Sequence, residues 1–204
     1  MKRILIVGNG GREHALGWNL SKEEDSKIFY IPAEKSAIEI SEFIKKEKIG
    51  LTVIGSEEPL ERGIVDSLNI MGILEVFGPT RQMARLEWDK FYSYDIMDKL
   101  GIPQARSVKC FYNDDLKKAL KIFDQPVLKS RWLSKGKGVR VYSSQGEARR
   151  DMNSFQKDFG KEILVAERLH GREFSVFGIA DGKNVLPFEI AFQDYKRAFD
   201  GDVG

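Results

Sequence analysis

Across the first eighty residues, short unbroken apolar runs alternate with stretches whose apolar positions recur every three or four residues. Ile4-Leu5-Ile6-Val7 is apolar throughout, the signature of a parallel strand buried on both faces. It runs into Gly8-Asn9-Gly10-Gly11 and then into a helix expected from Arg12 to Ser21. Ile28 to Ile31 is a second strand, and Ile38 to Lys48 is helical, with Ile40, Phe43 and Ile44 on one face. Leu51 to Ile54 is a third strand, Leu60 to Met71 a helix, and Val76-Phe77 a last strand ending at Gly78-Pro79. Strands separated by helices with short connections predict an α/β unit, a doubly wound parallel sheet.

The rhythm then changes. A helix is expected from Thr80 to Leu100, stopped by Gly101-Ile102-Pro103. Beyond it, Ser107 to Phe111, Pro126 to Lys129, Gly138 to Tyr142, Ile163 to Ala166 and Phe174 to Ala180 have strand character. Helices near Asp114 to Phe123 and Gly146 to Phe159 interrupt them, which predicts an α+β domain with an antiparallel sheet. The last residues, Phe199 to Gly204, form a loop-like end with no closing element, so this second domain is expected to be incomplete.

Composition narrows the classes. Of 204 residues, 42% are hydrophobic, enough for a core and against disorder. Lys and Arg total 33 against 31 acids, and a net charge of +2 argues against nucleic-acid or membrane-surface partners while leaving room for local phosphate sites. The single cysteine, Cys110, forbids an intrachain disulfide, and no zinc-ligand spacing occurs. Neither a signal peptide nor an apolar run of roughly 20 residues is present, so a cytoplasmic location is the expectation.

The first glycine loop carries candidate chemistry. Glycines after a strand let the backbone turn sharply, and the following helix start presents free N–H groups to an anion. Gly8 and Gly10 match two positions of the dinucleotide fingerprint, with Glu13 where a third glycine belongs and Glu34 placed to mimic the ribose-binding acid. Nicotinamide-dependent redox chemistry and a plain turn without ligand are both open at this point.

A longer set of motifs is more specific. Gly8-Asn9-Gly10-Gly11-Arg12-Glu13-His14-Ala15, Gly55-Ser56-Glu57-Glu58-Pro59-Leu60 and Phe77-Gly78-Pro79-Thr80 occur in one order along the chain. They are followed by Leu86-Glu87-Trp88-Asp89-Lys90, Pro126-Val127-Leu128-Lys129, Ser134-Lys135-Gly136-Lys137-Gly138-Val139 and Gly171-Arg172-Glu173-Phe174-Ser175. Gln193-Asp194-Tyr195-Lys196-Arg197 and Asp200-Gly201-Asp202-Val203-Gly204 close the series. Together they resemble the phosphoribosylamine–glycine ligase family of the ATP-grasp superfamily, over essentially the whole chain.

The resemblance implies a substrate domain at 1–79, a helical connection at 80–104, a small ATP-grasp subdomain at 105–168 and the start of a larger one at 169–204. It implies that Gly8, Asn9, Gly10, Gly11, Arg12, Glu57, Asp200, Gly201 and Asp202 meet the substrates. Lys90, at the lysine of the family's L-E-x-S-K, would hold the nucleotide phosphates with Lys129, Lys135, Lys137 and Gly138, the strand ending at Glu167 and Leu169 would edge the adenine, and Glu173 would take the ribose. Lys129, Lys196 and Arg197 would act at the reacting groups; a lysine suits that task because a compact charge on a flexible stem follows a moving phosphoryl group. Read without the motifs, each is an ordinary solvated charge, and His14 is given no proton-transfer role.

The implied reaction takes ATP, glycine and phosphoribosylamine to ADP, phosphate and glycinamide ribonucleotide through glycyl phosphate, with Mg²⁺ on the phosphates. Two features depart from the family. Its P-G-N-A-G-T segment is missing after the second strand, where this chain has only Ile31-Pro32-Ala33-Glu34-Lys35-Ser36-Ala37. Lys129-Ser130-Arg131-Trp132-Leu133 stands where the family has K-A-D-G-L, a base replacing the acid and a tryptophan the glycine. No residue here matches the family's metal-binding Glu and Asn. A nucleotide-binding relative without catalysis therefore stays open beside the ligase, as does the oligomeric state.

Overall fold

The computed structural model describes residues 1–134 and 136–192. The chain forms two compact units, one spanning Met1–Glu167 and a shorter one from Arg168 onward.

The first unit opens with the parallel sheet. β1 (Lys2–Val7), α1 (Gly11–Leu20), β2 (Ser26–Ile31), α2 (Ala37–Glu47), β3 (Leu51–Ile54), α3 (Glu57–Glu61), α4 (Ile64–Ile70) and β4 (Val76–Phe77) follow in turn. The strand order is β2-β1-β3-β4, all parallel, with Ile6 paired to Tyr30 on one side and Val53 on the other. β1 is central, which is why Leu5, Ile6 and Val7 are wholly buried. Leu5 and Val7 pack with Ile40, Ile44, Val65 and Leu68 on one face, and Ile4, Ile6 and Val53 with Leu20 on the other. Each of the larger side chains contributes about 1.5–3 kcal/mol by leaving water.

The expected helix from Leu60 to Met71 is two helices, because Gly63 sits at φ +79° between α3 and α4, a left-handed conformation that only glycine adopts without strain. The expected helix from Thr80 to Leu100 is also two, α5 (Arg81–Trp88) and α6 (Lys90–Lys99). Here no glycine breaks the run. Asp89 takes an extended conformation (φ −118°, ψ 93°), caps α6 by accepting the Tyr92 N–H at 3.3 Å, and forms an isolated antiparallel bridge with Trp132.

An antiparallel sheet in the order β5-β8-β6-β7 completes the first unit, from β5 (Ser107–Cys110), β6 (Pro126–Ser130), β7 (Val139–Val141) and β8 (Ile163–Glu167). α7 (Asn113–Ala119) and α8 (Gln145–Phe159) cover it. Leu116, Leu120, Phe155, Leu128, Ile163 and Val165 form its core, closed by Cys110, whose thiol burial pushes up to about 12. β6 and β8 lie in register, Lys129 opposite Leu164, so Lys129 stands near the end of a central strand.

The second unit has two short antiparallel pairs, β9 (Phe174–Ser175) with β12 (Ala191–Phe192), and β10 (Gly178–Ala180) with β11 (Val185–Pro187). The expected single strand from Phe174 to Ala180 is thus two strands, and β11 and β12 were not anticipated. Its apolar side chains, among them Phe174, Phe177, Ile179, Val185 and Leu186, are exposed.

Candidate functional site

In a doubly wound sheet, ligands bind beyond the carboxyl ends of the strands where the strand order reverses. Here that crevice lies between β1 and β3, and two expected substrate residues meet in it. Arg12, at the start of α1, donates to Glu57 Oε1 at 2.6 Å and to the Gly55 carbonyl at 3.2 Å. The Glu57 hydrogen bond raises the Arg12 pKa; Arg12 in turn holds the Glu57 carboxyl below its usual range, against the burial that would raise it. Gly11, Arg12 and Asn9 are exposed, so the loop is open to a ligand.

Glu13 accounts for Gly8, Gly10 and Gly55. Its side chain is buried and accepts the Gly10 N–H at 2.7 Å. A Cβ on Gly8 or Gly10 would come within 2.7 Å of Glu13, and one on Gly55 would collide with it too. A buried carboxylate thus fills the space among Gly8, Gly10 and Gly55. A dinucleotide pyrophosphate needs that approach free, and the Glu13 side chain occupies it, which tells against the nicotinamide reading of this loop. The missing P-G-N-A-G-T segment has a structural counterpart: the short Pro32–Ser36 connection is tied down by Arg62, which donates to the carbonyls of Ala33 and Glu34.

The second cluster gathers at the start of α6 and the end of β6. Lys129 Nζ donates to the Tyr94 hydroxyl at 3.1 Å, and Lys90 Nζ lies 3.5 Å from the Trp132 carbonyl. Burial lowers the Lys90 pKa against the opposing charge of Glu87, and the charge of Lys129 adds to the lowering. Half-buried cations on two adjoining elements suit a polyanion. The following loop turns back through the Lys137 N–H to Ser134 O bond at 2.9 Å, and the Ser130 N–H donates to Gly138 O at 2.7 Å. Lys137 is exposed on that turn; Lys135 lies outside the described residues.

Beneath these lysines is an ion-pair network that the motifs did not reveal. Arg131 grips Asp89 with two bonds, Nε to Oδ1 and NH2 to Oδ2, both 2.9 Å. Arg85 reaches Asp89 Oδ2 at 2.9 Å, and Glu162 receives Arg131 NH1 at 2.7 Å and Trp132 Nε1 at 3.0 Å. Asp89 has no exposed surface. Although burial works to raise its pKa, Arg131 and Arg85 hold it well below the ordinary carboxylate range. The one hint in the sequence was a base, Arg131, at a family acid position, with an acid, Asp89, at the serine of L-E-x-S-K.

The remaining expected residues are placed as follows. Glu167 ends β8 with its carboxylate taken by Arg106, accepting the backbone N–H at 2.9 Å and Nε at 2.8 Å. Leu169 and Glu173 are exposed in the second unit. Lys196, Arg197, Asp200, Gly201 and Asp202 lie outside the described residues. Among the described residues, no three His, Cys, Asp or Glu side chains gather as a metal site, and no helix is long and apolar enough to cross a membrane.

A parallel βα unit followed by an antiparallel sheet with lysines converging behind a glycine-flanked turn defines the ATP-grasp class. The chain belongs to the phosphoribosylglycinamide synthetase family: the model of that family's N domain matches residues 2–87, and that of its ATP-grasp (A) domain matches residues 88–204. It is 36% identical over 218 residues to phosphoribosylamine–glycine ligase of Streptomyces coelicolor, covering 99% of this chain and 51% of the relative. The Yersinia pestis ligase is 37% identical, covering 98% and 52%. The crystal structure of phosphoribosylamine–glycine ligase from Thermotoga maritima superposes with a TM-score of 0.74 at 29% identity, over 96% of this chain and 51% of that one. The chain therefore spans about half the length of these relatives.

Proposed function

We propose that this chain supplies the amine-substrate domain and the phosphate-binding lysines of an ATP-dependent carbon–nitrogen ligase that joins glycine to 5-phosphoribosylamine in purine biosynthesis, in the cytoplasm. The placement of Lys90 at the start of α6 and Lys129 near the end of β6, elements joined by the Lys90 N–H to Arg131 O bond at 2.9 Å, carries the reading, because cations on adjoining elements suit an anion with several charges. Residues 1–79 form the substrate domain, 80–104 the connection, 105–168 the small nucleotide subdomain and 169–204 the start of the large one. The exposed apolar side chains of β9 to β11 support that last assignment, since a finished sheet would cover them.

ATP when bound supplies the phosphoryl group that activates a carboxylate. A glycine carboxylate oxygen bonds to the γ-phosphorus as the bond to the ADP oxygen breaks. The amine nitrogen of phosphoribosylamine then attacks the carbonyl carbon, phosphate leaves, and the nitrogen loses a proton. In this chain Lys129, oriented by Tyr94, and Lys90 neutralise charge on the phosphates, and Lys137 closes over them from its turn. Gly8 to Gly11, Arg12 and Glu57 hold the amine substrate in the crevice of the parallel sheet. Mg²⁺ finds no fitting donor set among the described residues.

ADP release with ATP, Mg²⁺, glycine and freshly generated phosphoribosylamine, each omitted in turn, tests the reading, alongside ATP binding by equilibrium dialysis. ATP binding that Lys129→Ala weakens by about tenfold or more, and ADP release that needs both glycine and the amine, are expected. ATP affinity unchanged in Lys129→Ala would remove that lysine from the site.

A further inference from the structure

Lys90 and Lys129 sit on different elements, so something must fix one backbone against the other before their side chains can serve one ligand. Lys90 directly follows Asp89, and Lys129 precedes Arg131 by two residues. Between these neighbours run a bidentate ion pair with both bonds at 2.9 Å, the bridge of Asp89 with Trp132, and the Lys90 N–H to Arg131 O bond at 2.9 Å. Trp88 and Trp132 stack beside it at 6.0 Å, and the Arg131 guanidinium lies 4.0 Å over the Trp132 ring. Arg85 and Glu162 complete the charges that face the pair. No solvent reaches Asp89, so water does not weaken the pairing.

We propose that Asp89 and Arg131 are positioning residues, a clamp that sets Lys90 and Lys129 at the spacing a nucleotide's phosphates require. The family motifs put a serine and an acid at these two places; this chain has an acid and a base there, which pair with each other. Neither residue touches the ligand, because both carboxylate oxygens and the guanidinium are engaged by protein groups. The clamp acts through the backbones that carry the lysines. It explains why α5 and α6 part at Asp89 with no glycine present, since the extended conformation there is what lets Asp89 bridge to Trp132.

The inference rests on the nucleotide reading above, and the experiment separates the two. ATP binding to the full 204-residue chain is measured for the parent, Arg131→Met, Arg131→Lys and Asp89→Asn. Lys90 is followed by NMR titration of its side chain, and folding by near-ultraviolet circular dichroism. Loss of the clamp is expected to weaken ATP binding by about tenfold in Arg131→Met, with Arg131→Lys, which keeps the charge, falling between it and the parent. Lys90, released toward solvent, should titrate closer to an ordinary lysine in the folded variant, a change that lowered stability alone does not produce. Asp89→Asn keeps the size and the helix cap and serves if Arg131→Met does not fold; it should move both readouts in the same directions. Folded variants with ATP affinity within about twofold of the parent and an unmoved Lys90 titration overturn the clamp while leaving the nucleotide reading intact. A parent that binds no ATP overturns the nucleotide reading, and the clamp's role in it, even where the Lys90 titration moves.

Discussion

Arg12–Glu57 and Arg131–Asp89 each join an arginine to a carboxylate more than forty residues away, yet the two pairs stand in different surroundings. Arg12 and Glu57 meet at the mouth of the parallel sheet with side chains 61% and 35% exposed, whereas Arg131 and Asp89 are 18% and 0% exposed. The chemistry of the pairing is the same and the solvent is not. At the crevice, water screens the charges, and a ligand can replace either partner at little cost to the fold. Under α6, the carboxylate has no water to fall back on, so the pair is a fixture and a partner cannot be lent to a ligand. Exposure thus separates a pair open to a ligand from one that the fold keeps for itself.

The comparison breaks most sharply at Arg131. Arg131→Met leaves a buried carboxylate with only Arg85 against it, and urea unfolding should show a loss of about 3–5 kcal/mol; a loss under about 1 kcal/mol would make the two pairs alike. The pH dependence sharpens the contrast. Because the native Asp89 carboxyl lies below its unfolded value of about 3.9, its contribution is fully present above that pH and is lost as pH falls through the native value. The stability advantage of the parent over Asp89→Asn, measured from pH 7 downward, should therefore hold to about pH 4 and narrow below it.

Arg12→Ala should change stability by less than about 1 kcal/mol while weakening capture of a phosphorylated amine, read as a higher KM for phosphoribosylamine in the ligase assay. Smallest of all, raising sodium chloride from 0.1 to 0.5 M (about 10 to 4 Å in screening length) should erase what stability the Arg12–Glu57 pair confers and leave the Asp89–Arg131 contribution nearly unchanged. Double-mutant cycles at both salt concentrations measure the two directly.

The sequence made the apolar framework legible and the polar joints illegible. Ile4 to Val7 declares itself as a buried strand because a parallel strand covered on both faces is apolar throughout, and Leu51 to Ile54 differs from that pattern only at the buried Thr52. The splits at Gly63 and Asp89 were hidden because the helical spacing of apolar residues continues across each break. β11 and β12 escaped because two or three residues give no periodicity to read. At the site, the glycine loop and the lysines could be found from local motifs. The pairing of Asp89 with Arg131 could not, since in sequence each is one charge among many and only the tertiary fold removes the water around them.

The Glu13 side chain seated among Gly8, Gly10 and Gly55 also limits how this loop can evolve. Three positions, two in the loop after β1 and one just past β3, are tied to a single side chain. A larger residue at Gly8 or Gly55 collides with the Glu13 stem, one at Gly10 displaces its carboxylate, and trimming Glu13 abandons the Gly10 N–H it now satisfies. Gly8 and Gly10 already match the dinucleotide fingerprint, so the one step from this loop toward such a site is at Glu13, and that step gives up the carboxylate that now fills the space beside Gly8 and Gly55.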